Sequence, residues 1–281
     1  MEKKKYMIVG AGGLFGRHMA AHLKARGEEA VVLSRKQLDA SNPEAVKLVV
    51  GQVKPHVLIN AVALTDVDGC ERDPEQAHLL NSVVPTVLAS AARDHDALLV
   101  HVSTDYVFSG AVGAYTESDL PDPINIYGAT KLEGEHAVVE AGGEWLIVRT
   151  SGLYGPGGKN FISKLPDLLR STNEVHAIDD LILSPTYVEH LCWVVEEMVV
   201  CKSRGLYHMV NQDAVSWYEA ALMLAKHLGI ANRVNRVSRS DIRFTAQRPL
   251  NSSLRVDRLV DELFCVPYVD EALYAFARTC S

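Results

Sequence analysis

Short apolar runs alternate with helix-length amphipathic stretches from the first residues onward. The runs at 6–9, 30–33, 56–59 and 98–102 read as buried strands. Between them, residues 14–25, 44–52 and 75–93 carry apolar positions at helical spacing. Strands that are apolar throughout, separated by helices, indicate βαβ units and a parallel sheet covered on both faces. Further on, 125–140 and 187–200 read as helices, 145–148 and 205–210 as strands, and 269–278 as a terminal helix. The pattern predicts an α/β chain with a Rossmann-type doubly wound sheet and a small substrate-binding lobe interleaved with it. The expected division assigns 1–151 and about 174–212 to the nucleotide-binding domain. The lobe takes about 152–173 and 213–281.

Glycines punctuate the first strand–helix junction. Gly10, Gly13 and Gly16 stand three apart, with Gly12, Leu14 and Phe15 between them. Glycine lets the backbone turn sharply and approach a pyrophosphate, whose charge rests on free N–H groups at the helix start. A dinucleotide site over residues 10–16 is therefore predicted, with Asn60, Ala61 and Ala63 after the third strand lining its other side. The second strand runs into Ser34-Arg35-Lys36, with no acid before Asp39. A hydroxyl and cations suit a ribose 2′-phosphate, so NADP(H) is expected over NAD(H), with Ser34 and Arg35 as contacts.

Tyr127 and Lys131 lie one turn apart on a predicted helix and share a face. A phenol is a useful acid or base near neutrality only if its anion is stabilised, which a nearby ammonium can do. Ser103-Thr104-Asp105-Tyr106-Val107-Phe108 follows the fourth strand, where ligands of an open parallel sheet lie. Thr104 can orient a carbonyl and the phenol. Asp105 and Tyr106 are placed to contact substrate or to support those that do.

Composition narrows the remaining classes. The 281 residues include 35 acidic and 28 basic, a net charge of −7, which disfavours nucleic acid or an anionic membrane as the main partner. Five scattered cysteines without a C-x-x-C pair indicate reduced thiols rather than a disulfide framework or zinc site. No stretch approaches the roughly 20 apolar residues of a membrane helix, and the run at 6–9 is too short for a signal peptide. A cytoplasmic protein is expected, with a homodimer as the candidate assembly and no metal site.

Taken in order, the glycine loop, Asn60-Ala61, Ser103 to Phe108, Tyr127/Lys131 and Arg149-Thr150-Ser151 resemble the dTDP-4-dehydrorhamnose reductase family of extended short-chain reductases. The resemblance continues through Tyr154-Gly155, Ser184-Pro185-Thr186 and Arg248-Pro249. It implies reduction of the 4-keto group of a nucleotide-linked deoxysugar by NAD(P)H. In that scheme Thr104, Tyr127 and Lys131 form the catalytic trio and Tyr127 protonates the carbonyl oxygen. The family usually carries tryptophan where this chain has Gly152, and Asp-Gln-x-Gly where it has Asp180-Leu181-Ile182-Leu183. Both departures fall at the expected sugar pocket, so Gly152 is a candidate determinant of which sugar is taken. A nucleotide-sugar epimerase and a non-catalytic NADP-binding regulatory subunit are the rival readings on this scaffold.

Several other groups invite attention. Arg248 and Arg255 are candidates for neutralising a nucleotide diphosphate, Arg248 the better for its place in the family pattern. His18 and His22 share a helix face and read as ordinary helix residues. Asp66, Asp68, Glu71 and Asp73 read as a solvated loop leading into a helix N-terminus.

Overall fold

In the computed structural model, residues 3–231 and 233–280 are described. The first half runs β1 (Lys5–Val9), α1 (Leu14–Ala25), β2 (Glu29–Leu33), α2 (Pro43–Val53) and β3 (Val57–Asn60). Short helices α3 (Val67–Arg72) and α4 (Pro74–His78) lead through a π-helical turn, Leu79–Val83, into α5 (Val84–Asp94). Next come β4 (Leu98–Thr104), α6 (Ile126–Ala141) and β5 (Trp145–Thr150). The second half contains α7 (Phe161–Ser171), β6 (Glu174–Ile178), β7 (Ile182–Leu183), α8 (Val188–Val200) and β8 (Gly205–His208). It ends with β9 (Val215–Ser216), α9 (Trp217–Leu228), β10 (Arg233–Val237), α10 (Asp257–Asp261) and α11 (Val269–Ala277).

Six strands form one parallel sheet in the order β2-β1-β3-β4-β5-β8. Strand order reverses between β1 and β3, which opens a crevice at their carboxyl ends, the place where doubly wound sheets bind ligands. Successive β1 side chains go to opposite faces: Tyr6 and Ile8 join one core, Met7 and Val9 the other. Both faces are covered, which is why the strands read as unbroken apolar runs.

The predicted helix at 75–93 is divided. Pro85 has no N–H, and its ring would clash with the carbonyl of Asn81 four residues back, so the turn widens to π geometry. The freed Asn81 carbonyl faces Gly134 of α6, where a Cβ would stand 2.1 Å from it. Only glycine at 134 lets the two helices approach so closely.

The acidic stretch is also more than a solvated loop. It folds as α3, where Asp68 accepts from the backbone N–H groups of Thr245 and Ala246 at 3.0 and 2.9 Å. Glu71 accepts from the N–H of Ile126 at 2.9 Å. Asp68 thus ties the first domain to the lobe, and Glu71 ties α3 to the start of α6.

The expected return to the nucleotide-binding domain near residue 174 is displaced. Strand β6 pairs in parallel with β10, outside the central sheet, and the chain rejoins that sheet only at β8. Periodicity marks a strand but cannot say which partner supplies its hydrogen bonds. A second short pair, β7 with β9, is antiparallel. The lobe is attached beside the end of β4. Asn251 N–H donates to Gly110 O at 3.1 Å, and Tyr115 N–H to Ser253 O at 2.9 Å.

Candidate active site

Strand β4 delivers Thr104 to the carboxyl edge of the sheet, level with Thr150 of β5. Thr104 caps the short 3₁₀ turn that follows by accepting from Tyr106 N–H at 3.2 Å. Its own hydroxyl donates to Asp105 Oδ1 at 3.0 Å. Asp105 Oδ2 accepts from Ser151 Oγ at 2.7 Å and from Ser252 Oγ of the lobe at 2.5 Å. The carboxylate is buried and engaged by three hydroxyls. Burial pushes its pKa up to about 6, against the pull of Ser252, Ser151 and Thr104. Asp105, expected either to contact substrate or to support residues that do, is turned inward and engages Thr104, Ser151 and Ser252.

Helix α6 brings the other two members of the trio. Asn125 caps it, accepting from Gly128 N–H at 2.8 Å, while its amide donates to Gln247 O at 2.9 Å. A Cβ at Gly128 would stand 2.0 Å from Tyr106 O, so glycine permits the helix start to abut the loop carrying Thr104. The Tyr106 and Tyr127 rings meet edge to face, with centroids 5.7 Å apart. Lys131 is buried, and its Nζ donates to Val102 O at 2.6 Å.

The electrostatics differ from expectation. The Tyr127 pKa is raised, first by burial, with the neighbouring Thr104 side chain acting against the rise. Burial lowers Lys131 to about 8, opposed by the Glu135 charge. The ammonium therefore does not pull the phenol down here; desolvation wins and Tyr127 keeps its proton. That is the form a proton donor to a carbonyl oxygen requires.

The glycine loop has the features that a dinucleotide needs. Gly10 sits at φ +94°, and a Cβ there would lie 2.6 Å from the Ala61 carbonyl carbon. A Cβ at Gly16 would lie 2.6 Å from Gly10 O. Both glycines thus let β1, α1 and the segment after β3 pack closely. Gly12 faces open space, and Gly13 caps α1 without a side-chain hydrogen bond. The N–H groups at the start of a 12-residue helix are left facing the crevice. Phe15 points into the core, so at that position only backbone is offered. At the end of β2, Ser34 is engaged by Gln37 while Arg35 is exposed on the following turn. Asn60 is buried, and Ala61 and Ala63 are half-buried along the same crevice.

The loop after β4 and the lobe line an open pocket of about 440 Å³, formed by Ser109, Ile124, Arg239, Gln247 and Arg248 among others. Arg248 lies over the Phe244 ring at 4.8 Å and pairs with Asp68 at 3.1 Å. Its buried Nη1 finds no protein acceptor. Arg255 is exposed and paired with Asp257 at 2.8 Å, away from this arrangement. Gly152 adopts φ +48°, and a Cβ there would stand 2.5 Å from Leu183 Cδ1. The two positions that depart from the family pattern are therefore in contact: Leu183 fills the space a larger residue 152 would need.

Some participants were not legible beforehand. Asn81, in the π-helical turn, accepts from Leu64 N–H at 2.8 Å and donates to Leu64 O at 3.1 Å and Thr130 Oγ1 at 3.2 Å. It anchors the loop after β3 to α6. Ser252, which holds Asp105 from the lobe, carries no motif of its own, and Ser151 lies in the Arg149-Thr150-Ser151 run without its role showing in the sequence. His18 and His22 reach across to α8, contacting Glu189 at 2.5 Å and Glu196 at 2.6 Å.

Comparison with known proteins gives the site its context. The family described as RmlD substrate binding domain matches residues 4–279. A dTDP-4-dehydrorhamnose reductase of Aggregatibacter actinomycetemcomitans is 34% identical over 269 residues, covering 91% of this chain and 92% of that protein. A dTDP-4-keto-6-deoxy-D-glucose reductase of Streptomyces niveus is 35% identical over 227 residues, covering 80% and 79%. The crystal structure of a dTDP-4-dehydrorhamnose reductase from Bacillus anthracis in complex with NADP superposes with a TM-score of 0.95 at 33% identity. It covers 99% of this chain and 100% of that one.

Proposed function

Because this chain belongs to the RmlD substrate binding domain family, we propose that it reduces the 4-keto group of a dTDP-linked 6-deoxysugar, with NADPH as the reductant. The single observation that carries this reading is the convergence at one sheet edge of Thr104, Tyr127 and Lys131 beside the glycine crevice. Bound in that crevice, the nicotinamide supplies hydride to the sugar C4. The backbone of residues 10–16 holds the pyrophosphate, and Arg35 takes the 2′-phosphate. Thr104 orients the carbonyl, and Tyr127, still protonated, donates to its oxygen as negative charge develops there. Arg248, with one N–H pair unclaimed by protein, neutralises the substrate diphosphate.

The contact of Gly152 with Leu183 supports a second sugar, since it alters the wall expected to face the hexose. The reductase from Streptomyces niveus is named for dTDP-4-keto-6-deoxy-D-glucose, and the same substrate is the alternative here. A reducing cytoplasm, supported by the five scattered cysteines, and a homodimer belong to the same reading.

The deciding experiment measures NADPH and NADH oxidation with dTDP-4-dehydrorhamnose and, separately, with dTDP-4-keto-6-deoxy-D-glucose. NADPH oxidation with a dTDP-6-deoxyhexose as product establishes the activity, and the preferred ketone identifies the sugar. Tight NADPH binding without oxidation of either would give the reading up in favour of a regulatory subunit.

A further inference from the structure

Behind the trio lies a buried chain of side chains that the reaction as described does not use. His101 sits in the middle of β4, fully buried, with Asn60 of β3 on one side and Lys131 of α6 on the other. Asn60 Nδ2 and His101 Nδ1 are 3.0 Å apart; His101 Nε2 and Lys131 Nζ are 3.4 Å apart.

The direction of each bond follows from the donors available. Asn60 Oδ1 accepts from Val62 N–H at 3.0 Å, which fixes the amide with its NH₂ group toward His101. His101 Nδ1 must then accept, so the ring proton sits on Nε2 and faces Lys131. An ammonium there would oppose N–H to N–H. A neutral amine would instead donate to Val102 O, at 2.6 Å, and accept from His101.

We propose that His101 is a positioning residue for this site: locked by Asn60 as the Nε2–H tautomer, it turns a donor on Lys131 and favours the neutral amine. The surrounding charges agree. The only acid facing Lys131 from its own helix is Glu135, and both Glu135 oxygens are engaged by Arg149, at 2.9 and 2.6 Å. Asn60, across the sheet, is uncharged. Burial and the Lys131 charge both hold His101 far below the usual imidazole range, so it stays neutral. The outcome is a lysine whose proton is released closer to neutral pH than that of a solvated lysine. The inference rests on the reductase reading for its purpose but not for its test.

The test uses the whole chain and two readouts. Nitrogen chemical shifts of ¹⁵N-histidine report the tautomer of His101, assigned by the signal lost in His101→Gln. ¹³Cε shifts of labelled lysine report the Lys131 titration, assigned with Lys131→Arg. We expect Nε2–H, neutral across pH 5–9, and a Lys131 midpoint about one pH unit higher in His101→Gln, where a carbonyl acceptor can face the ammonium. The basic limb of kcat/KM should move upward with it. The Nδ1–H tautomer or an imidazolium would overturn the proposal. So would an unmoved Lys131 titration in a folded His101→Gln chain, even with reduced turnover, because that would mean packing alone. If His101→Gln does not fold, the wild-type tautomer decides. A wild-type chain without turnover would defeat the reductase reading and leave these two NMR outcomes to judge His101.

Discussion

Thr104 donates its hydroxyl proton to Asp105 at 3.0 Å, so the buried carboxylate sets which way the threonine hydroxyl points. The same carboxylate holds Ser252 of the lobe. Thr104 and the C-terminal lobe thus share one buried anion, and the lobe's seating is linked to the orientation of the Thr104 hydroxyl.

That link is pH-sensitive. The Asp105 pKa of about 6 lies above the ordinary 3.8, because burial disfavours the charge. Protonated Asp105 therefore stabilises the fold at pH below the ordinary value, and this contribution is lost as pH rises through about 6. Activity should run the opposite way, since a carboxylic acid loses an acceptor for the hydroxyls. We expect kcat to fall as pH drops through about 6, and Asp105→Asn to lower kcat at pH 7.5 by at least about tenfold while abolishing that limb. An acidic limb that persists in Asp105→Asn would remove this assignment.

Tyr127→Phe keeps the ring packed against Tyr106 but deletes the transferable proton. Turnover should drop at least about a hundredfold, with NADPH affinity by calorimetry unchanged within a few-fold. Near-wild-type turnover would exclude Tyr127 as the donor.

Arg149 and Glu135 form a two-pronged pair buried under the site, at 2.9 and 2.6 Å. Removing one partner leaves the other charge buried and alone. Glu135→Ala should cost about 3–5 kcal/mol in denaturant unfolding, and Glu135→Leu combined with Arg149→Met should recover most of it. Equal losses in the single and double variants would mean that the pair is not the source.

Gly16→Ala drives a methyl into Gly10 O. About 1–3 kcal/mol of strain is expected, together with at least tenfold weaker NADPH binding, because the loop that must shift is the one cradling the pyrophosphate. Gly12→Ala, where a Cβ meets open space, should leave stability unchanged in thermal unfolding.

Arg35→Ala tests the cofactor preference. The KM for NADPH should rise about tenfold, as for a lost charge-assisted phosphate contact, with that for NADH little altered. Parallel rises in both would place Arg35 outside the 2′-phosphate site.

The amino-acid sequence by itself determined the parallel α/β order and the glycine crevice, and it marked Tyr127 and Lys131 as neighbours on one helix face. Those features are written in local spacing: uniformly apolar strands, glycines three apart, and two side chains one helical turn apart. Only the tertiary structure decided that β6 pairs with β10, that Pro85 opens a π-helical turn, and that Asp105 is a buried hub joining Ser151 and Ser252. It also decided the state of the phenol, because desolvation depends on what surrounds a group, and Tyr127 is half-buried while Lys131 turns back toward Val102. Gly152 and Leu183, or Asn60, His101 and Lys131, are far apart in sequence and meet only when separate elements pack. Periodicity records which way a residue faces, and packing chooses what it meets there.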